Sequence, residues 1–209
     1  MITHDVVEQG TDEWLDLRRG KFTASIASKL LTPTGKVSTQ FKGEMGRIIA
    51  ETLGLQPPEP HVETFWMERG SELEAEARRW FTVDTDLDIT EVGFIESDCH
   101  LVGVSPDGLV VVPDGLIVPL ELKVPKPSTH IKWLLMGDLP KEHIGQVHFA
   151  MAVTGAPYAY FMSYNPDIDP LILRIERDDY TEKMVNAIEV YRAEFKWSFN
   201  RITGGTDAE

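Results

Sequence analysis

The spacing of apolar and polar positions along this chain changes period twice. The N-terminal segments read as helices. In "QGTDEWLDLRRGKF" (9–22) Thr11 is placed to cap a helix, with Asp12 and Glu13 where the dipole favours acids, and Gly20 breaks it. "TASIASKLL" (23–31) restarts helical behind Thr23, and Pro33 and Gly35 mark a loop. "QFKGEMGRIIAETLGL" (40–55) is a helix ending near Gly54, before the proline-rich connector "QPPEP". In "SELEAEARRWF" (71–81) Ser71 and Glu74 match a capping box.

The middle of the chain switches to short strand-like runs. "ITEVGFIE", "HLVGVS", "GLVVVP" and "LIVPLELKV" predict four strands, with turns at Ser97–Asp98, Pro106–Gly108 and Pro113–Gly115. Helical spacing returns in "PKEHIGQVHFAMAVTG" (140–155), closed by Gly155, and "YAYFMSYN" and "LILRIER" are two further strands. The last helix starts near Asp179 and lines up Met184, Ala187, Ile188, Tyr191 and Phe195. The sum is an α/β chain with a central mixed β-sheet flanked by helices, or α+β if the helices gather on one side.

One strand breaks its own pattern. "GLIVPLELKVP" (115–125) is rich in branched apolar residues, yet it carries Glu121 and Lys123 at its centre. Side chains alternate along a strand, so both point to the same face. The ordinary reading is a structural ion pair at a sheet edge. A buried charge is costly unless it is paired or holds a metal, which leaves a second reading open.

Composition narrows the classes. The 209 residues, 42% hydrophobic and 26% charged, describe one globular domain. No run approaches the ~20 apolar residues that cross a bilayer, so no membrane partner is expected. The N-terminus lacks the regions of a signal peptide. Cys99 is the one cysteine, which leaves no disulfide framework and no cysteine-held zinc or iron–sulfur site, and fits a reducing interior such as the cytoplasm. A net charge of −14 argues against a nucleic-acid partner, since phosphate contacts rely on Lys and Arg. A small basic channel inside an acidic exterior is still compatible, and metal-binding carboxylates add to the negative count.

Asp107 lies in "VSPDGL", a turn from which the chain returns through a hairpin to Glu121. If those strands are neighbours, Asp107, Glu121 and Lys123 converge at one end of the sheet. Two carboxylates and a backbone carbonyl, that of Leu122, make a hard-oxygen site for Mg²⁺, with Mn²⁺ an expected substitute. The Lys123 ammonium beside it is placed to orient or help deprotonate an attacking water and to offset transition-state charge. This is the D…E-x-K arrangement of metal-dependent phosphodiester hydrolysis. Pro-Asp-Gly is also an ordinary turn tripeptide.

The remaining blocks add a family signal. "DEWLDLRRGKFTAS" (12–25), "RGSELEAEARRWF" (69–81), "SPDGL" (105–109), "LELKVP" (120–125) and "GQVHFAMAVTG" (145–155), followed by "MSYNP" and "RIERDD", resemble in content and order the phage lambda-type (YqaJ-like) alkaline exonucleases that supply single strands for homologous recombination. The resemblance implies a restriction-endonuclease-like, PD-(D/E)xK core forming one nuclease domain over 1–203, with a disordered tail over 204–209. It implies Asp107 and Glu121 as metal ligands, Lys123 as the catalytic lysine, and Glu74 reaching the metal-bound water shell. Glu74 also reads as the capping partner of Ser71. Gln146 would orient the water or the lysine, or is simply a polar helix residue. Arg18 and Ser25 match positions that bind a 5′-terminal phosphate, to which Ser105 would add a hydroxyl, although Arg18 also reads as a cap at the end of the first helix. Met67 or Trp66 would be an apolar wedge.

The implied activity is a Mg²⁺-dependent, processive 5′→3′ exonuclease on double-stranded DNA ends that leaves 3′ single strands. A homotrimeric ring around DNA, a single-strand annealing protein as partner, and the cytoplasm of a bacterial or phage-infected cell complete the expectation. Two rivals share the core: a D…E-x-K endonuclease of restriction or repair type, and a non-catalytic DNA-binding module.

Overall fold

The hairpin carrying Glu121 and Lys123 is the centre of the architecture. The structure, a computed structural model, describes residues 1–57 and 65–205, with the backbone alone at 65–68, 70 and 71. Its strands are β1 (Ile2–His4), β2 (Phe22–Thr23), β3 (Asp88–Thr90), β4 (Phe94–Glu96), β5 (Val102–Val104), β6 (Gly108–Val111), β7 (Ile117–Lys123), β8 (Tyr158–Asn165) and β9 (Ile168–Glu176). Its helices are α1 (Asp12–Arg18), α2 (Phe41–Thr52), α3 (Phe65–Thr85), α4 (Pro127–Met136), α5 (Lys141–Thr154) and α6 (Asp179–Thr203). Ala24–Lys29 is a 3₁₀ segment with a non-helical residue at Ile26, where the sequence predicts a regular helix.

The chain is α/β, as expected, but the strands form two sheets rather than one. Their orders are β1-β4-β5-β2 and β3-β6-β7-β8-β9. Gly93 is the physical reason. Its α-carbon passes so close to the N-terminal segment that an added Cβ would sit 2.0 Å from the Val7 carbonyl oxygen. "ITEVGFIE" therefore bends there, giving β3 to one sheet and β4 to the other.

In the five-stranded sheet β7 pairs antiparallel with β6 and parallel with β8, so it is an interior strand and not the edge that a plain ion pair would suit. The parallel pair needs a crossover, supplied by α4 and α5. In the β7–β8 register Leu120 sits beside Tyr160 and Leu122 beside Met162; Leu120, Leu122 and Met162 share a buried cluster with Ala77 and Phe81 of α3. Glu121 sits beside Phe161, which packs with Trp133 of α4 and Met151 of α5. Period-two alternation thus turns Glu121 and Lys123 toward the α4–α5 side. Each fully buried side chain such as Leu120 or Phe161 stabilises the layers by roughly 1.5–3 kcal/mol.

A second core, with Phe22, Ile48, Phe149, Met184 and Tyr191 at its centre, joins α2, α5 and α6 to the small sheet. The predicted α6 stripe is buried as expected, and Asp178 caps that helix with a capping box. Among the described residues no helix is long and apolar enough to cross a membrane. α3 begins at Phe65, so Ser71 lies inside it and cannot be its N-cap; the capping reading of Glu74 fails. Gly204 closes α6 in the left-handed conformation, while residues 206–209 of the expected tail lie outside the described residues.

Candidate active site

The turn before β6 and the end of β7 build the first half of the site. The Asp107 amide donates to the Leu120 carbonyl at 3.0 Å, which closes the mouth of the hairpin. Asp107 Oδ2 accepts from the Leu122 amide at 2.6 Å and lies 3.4 Å from Lys123 Nζ. Lys123 Nζ also donates to the Leu122 carbonyl at 2.9 Å and forms an ion pair with Glu121 Oε1. The two carboxylates, one carbonyl and one ammonium predicted from the sequence do converge.

Burial makes this group electrostatically tense. The Glu121 carboxyl is pushed up to about 7, by burial first and then by Asp107, against the pull of Lys123. Burial works against charge on Lys123 too, but Asp107 and Glu121 more than offset it and hold the ammonium above its ordinary value. Glu74, approaching from α3, is raised by burial and by Asp107, and lowered by Arg78 and Lys123. Glu121 Oε1 is sealed from solvent and has no aligned hydrogen-bond donor, only the ion pair. A buried carboxylate oxygen left this way fits a hard cation, as does the all-oxygen donor set of Asp107, Glu121 and the Leu122 carbonyl. Among the described residues no group of three or more His, Cys, Asp and Glu side chains is arranged to hold a metal by itself.

Gln146, half-buried on α5, meets His143 one turn earlier. His143 is held down to about 4 by burial and then by Lys123, opposed in part by Glu142 and by its hydrogen bond to Gln146. It is therefore neutral at ordinary pH.

The second half of the site lies two residues upstream. Arg18 donates from Nη1 to Ser105 Oγ at 3.3 Å, and from Nη2 to Thr23 Oγ1 at 3.4 Å and Ser25 Oγ at 3.2 Å. The indole of Trp14 lies under the guanidinium at 4.2 Å and donates to Ser105 Oγ at 2.9 Å. Among the described residues no carboxylate pairs with Arg18, so a cation faces three hydroxyls and an aromatic ring. Burial lowers its pKa to about 10, which still leaves it charged. The Arg18 side chain turns to these hydroxyls from the last turn of α1, while the Arg19 amide makes the bonds that close the helix.

Trp14, His143 and Arg78 were not singled out from the sequence, and Thr23 was read only as the start of a helix. Trp14 and Thr23 flank Arg18 and Ser25 in the "DEWLDLRRGKFTAS" block, so their positions were the available signal. Lys21, in the same block, is largely buried and paired with Glu96 at 3.3 Å. Met67 and Trp66 lie outside the residues whose side chains are described. A cleft of about 580 Å³ opens between the N-terminal loop around Gln9 and Trp14 and the acids Glu74, Glu91 and Asp107.

Known proteins give a consistent picture. Residues 13–157 match the YqaJ-like viral recombinase domain. An alkaline exonuclease (LHK-Exo) from Laribacter hongkongensis is 30% identical, with 92% of this chain and 96% of that one covered and a TM-score of 0.77. The same exonuclease in complex with dAMP gives 29% identity over 94% and 100%, with a TM-score of 0.71. A phage related exonuclease from Haemophilus somnus 129PT, at 16% identity over 85% and 96% and a TM-score of 0.54, shares the fold. No match was found among curated proteins.

Proposed function

Because the chain belongs to the family of YqaJ-like viral recombinase domains, we propose that it is a DNA exonuclease: Mg²⁺-dependent, starting at double-stranded ends and running 5′→3′, to leave 3′ single strands for recombination. One observation carries the reading. Ser105 and Asp107, two residues apart on one turn, belong respectively to an anion-receptive pocket and to a carboxylate–lysine group. A terminal phosphate held at the first places the next phosphodiester beside the second.

Asp107, Glu121 and the Leu122 carbonyl would hold the cation. When bound, it supplies Lewis-acid polarisation of the scissile phosphate and a more acidic water. The chain's own residues do the rest. Lys123, kept cationic by its two acids, offsets the negative charge that grows on the phosphoryl oxygens. Glu74 orients water at the edge of the site, and Gln146, fixed against His143, bounds it from α5. Arg18, Ser25 and Ser105 grip the 5′-phosphate, with Thr23 beneath them; the arginine fork suits a phosphate because it makes two parallel hydrogen bonds.

A homotrimeric ring would place a basic bore inside an acidic exterior and make digestion processive by topology. A single-strand annealing protein would collect the product. The deciding experiment compares linear duplex with a 5′-phosphate, linear duplex with a 5′-hydroxyl, and closed circles, each with Mg²⁺ and with chelator. Rapid loss of the phosphorylated linear duplex alone, in Mg²⁺ alone, is expected. Cutting of closed circles would make the protein an endonuclease, and protection without cleavage would make it a binding module.

A further inference from the structure

We propose that Arg78 is a positioning residue for the hydrolytic centre, holding the main chain at Asp107 and the side chain of Glu74 in one arrangement before any cation arrives. Its guanidinium lies on α3, one turn after Glu74. Nη1 donates to the Asp107 carbonyl at 3.2 Å and sits 3.7 Å from Glu74 Oε2, while Nη2 is 2.9 Å from Glu91 Oε2. The side chain is largely buried, whereas its Glu91 partner is 72% exposed.

The hydrogen bonds at Asp107 show why this matters. Its amide is held by β7 through the Leu120 carbonyl, and its Oδ2 by the Leu122 amide. Its carbonyl accepts from Arg78 on α3. The turn is therefore clamped from both the strand and the helix. Asp107 Oδ1 has no protein donor among the described residues, and so is the oxygen left for a ligand. A planar fork sets Asp107, Glu74 and Glu91 at fixed relative angles, which the single ammonium of a lysine cannot reproduce. Arg78 also lowers the cost of keeping Glu74 ionised beside Asp107. A direct phosphate contact is the competing role, but it requires displacing Glu91 from Nη2.

This inference rests on the reading of Asp107 as a metal ligand, so the test begins without metal. Amide exchange is measured in metal-free wild type, Arg78→Ala, Arg78→Lys and Glu91→Gln. The amides of Asp107 and Leu122 are expected to exchange about tenfold or more faster in Arg78→Ala, the size of one lost charged hydrogen bond, while those of Val110 and Val118 hold. Arg78→Lys recovers part of the protection, and Glu91→Gln, a mild surface change, loosens it slightly. Calorimetric titration with Mg²⁺ should then show a half-saturation raised by about tenfold in Arg78→Ala, with metal-free DNA affinity unchanged. Unchanged exchange and Mg²⁺ affinity, with weaker DNA binding and a shallower salt dependence, would make Arg78 a phosphate contact and overturn the proposal. So would uniform loss of protection across the hairpin in both Arg78 variants. Failure of the metal reading is distinguishable: wild-type Mg²⁺ binding would survive in Asp107→Asn, whatever the Arg78 variants do.

Discussion

Replacing Arg18 with alanine isolates end recognition from hydrolysis. In the free protein its fork contacts three hydroxyls at 3.2–3.4 Å and rests on Trp14. Hydrogen bonds of that length between a half-buried guanidinium and hydroxyls are weak, so their loss should cost the fold only about 1 kcal/mol. A 5′-phosphate changes the balance, because paired charged hydrogen bonds are worth roughly 1.5–3 kcal/mol. Arg18→Ala should therefore slow digestion of 5′-phosphorylated ends by about tenfold to a hundredfold. Ends carrying a 5′-hydroxyl should be little affected, so the preference collapses. Arg18→Lys should recover only part, since it cannot form the fork. The assay is single-turnover digestion of two duplexes that differ only in the 5′ group, with melting temperatures recorded for each variant. Equal slowing on both duplexes, together with a lower melting temperature, would mean that Arg18 only anchors α1, and the phosphate pocket would be refuted.

Other perturbations address the hydrolytic half. Asp107→Ala and Glu121→Ala should each abolish cleavage, since few protein ligands are present, and calorimetry should show no Mg²⁺ binding in variants that still melt cooperatively; retained cleavage in either would sink the assignment. Lys123→Ala should keep DNA binding and Mg²⁺ affinity but lose about 3 kcal/mol of transition-state stabilisation, read as a hundredfold or larger drop in the single-turnover rate. A matching loss of metal affinity would make Lys123 a structural partner of Glu121 instead. The Glu121 carboxyl, raised to about 7, favours its protonated form in the metal-free fold, so the stability it contributes is complete at low pH and is lost as pH rises through about 7. A cation binds only the carboxylate, so the rise in melting temperature given by Mg²⁺ should grow between about pH 6 and pH 8 and lose that dependence in Glu121→Gln. A rise independent of pH in the wild type would contradict this.

Much of the fold and the heart of the site could be read from the residues because they depend on local signals. Alternation and turn residues mark β6, β7, β8 and β9, and once β6 and β7 form a hairpin, Asp107 must come to Glu121. The division into two sheets could not be read, since it turns on how closely Gly93 approaches Val7, a contact far apart in sequence. β1 and the two-residue β2 are too short to show a period. α4 opens with Pro127 and Ser128 and buries only His130 and Trp133, which gives no helical stripe. Arg78 was hidden for a different reason. On a helix rich in charge it reads as a solvated arginine, and only the packing of α3 beside the Asp107 turn brings it to that main chain.

The central claim is that a DNA 5′ end is held at Arg18 and cut at the Asp107–Glu121–Lys123 group. It is tested most directly with a linear duplex that carries different labels on the first nucleotide at the 5′ end and the last nucleotide at the 3′ end of one strand. In Mg²⁺ the 5′ label should be released first, as a mononucleotide, while the 3′ label stays in long product, and Asp107→Ala should release neither. Release of the 3′ label first, or release that persists in Asp107→Ala, would contradict the account.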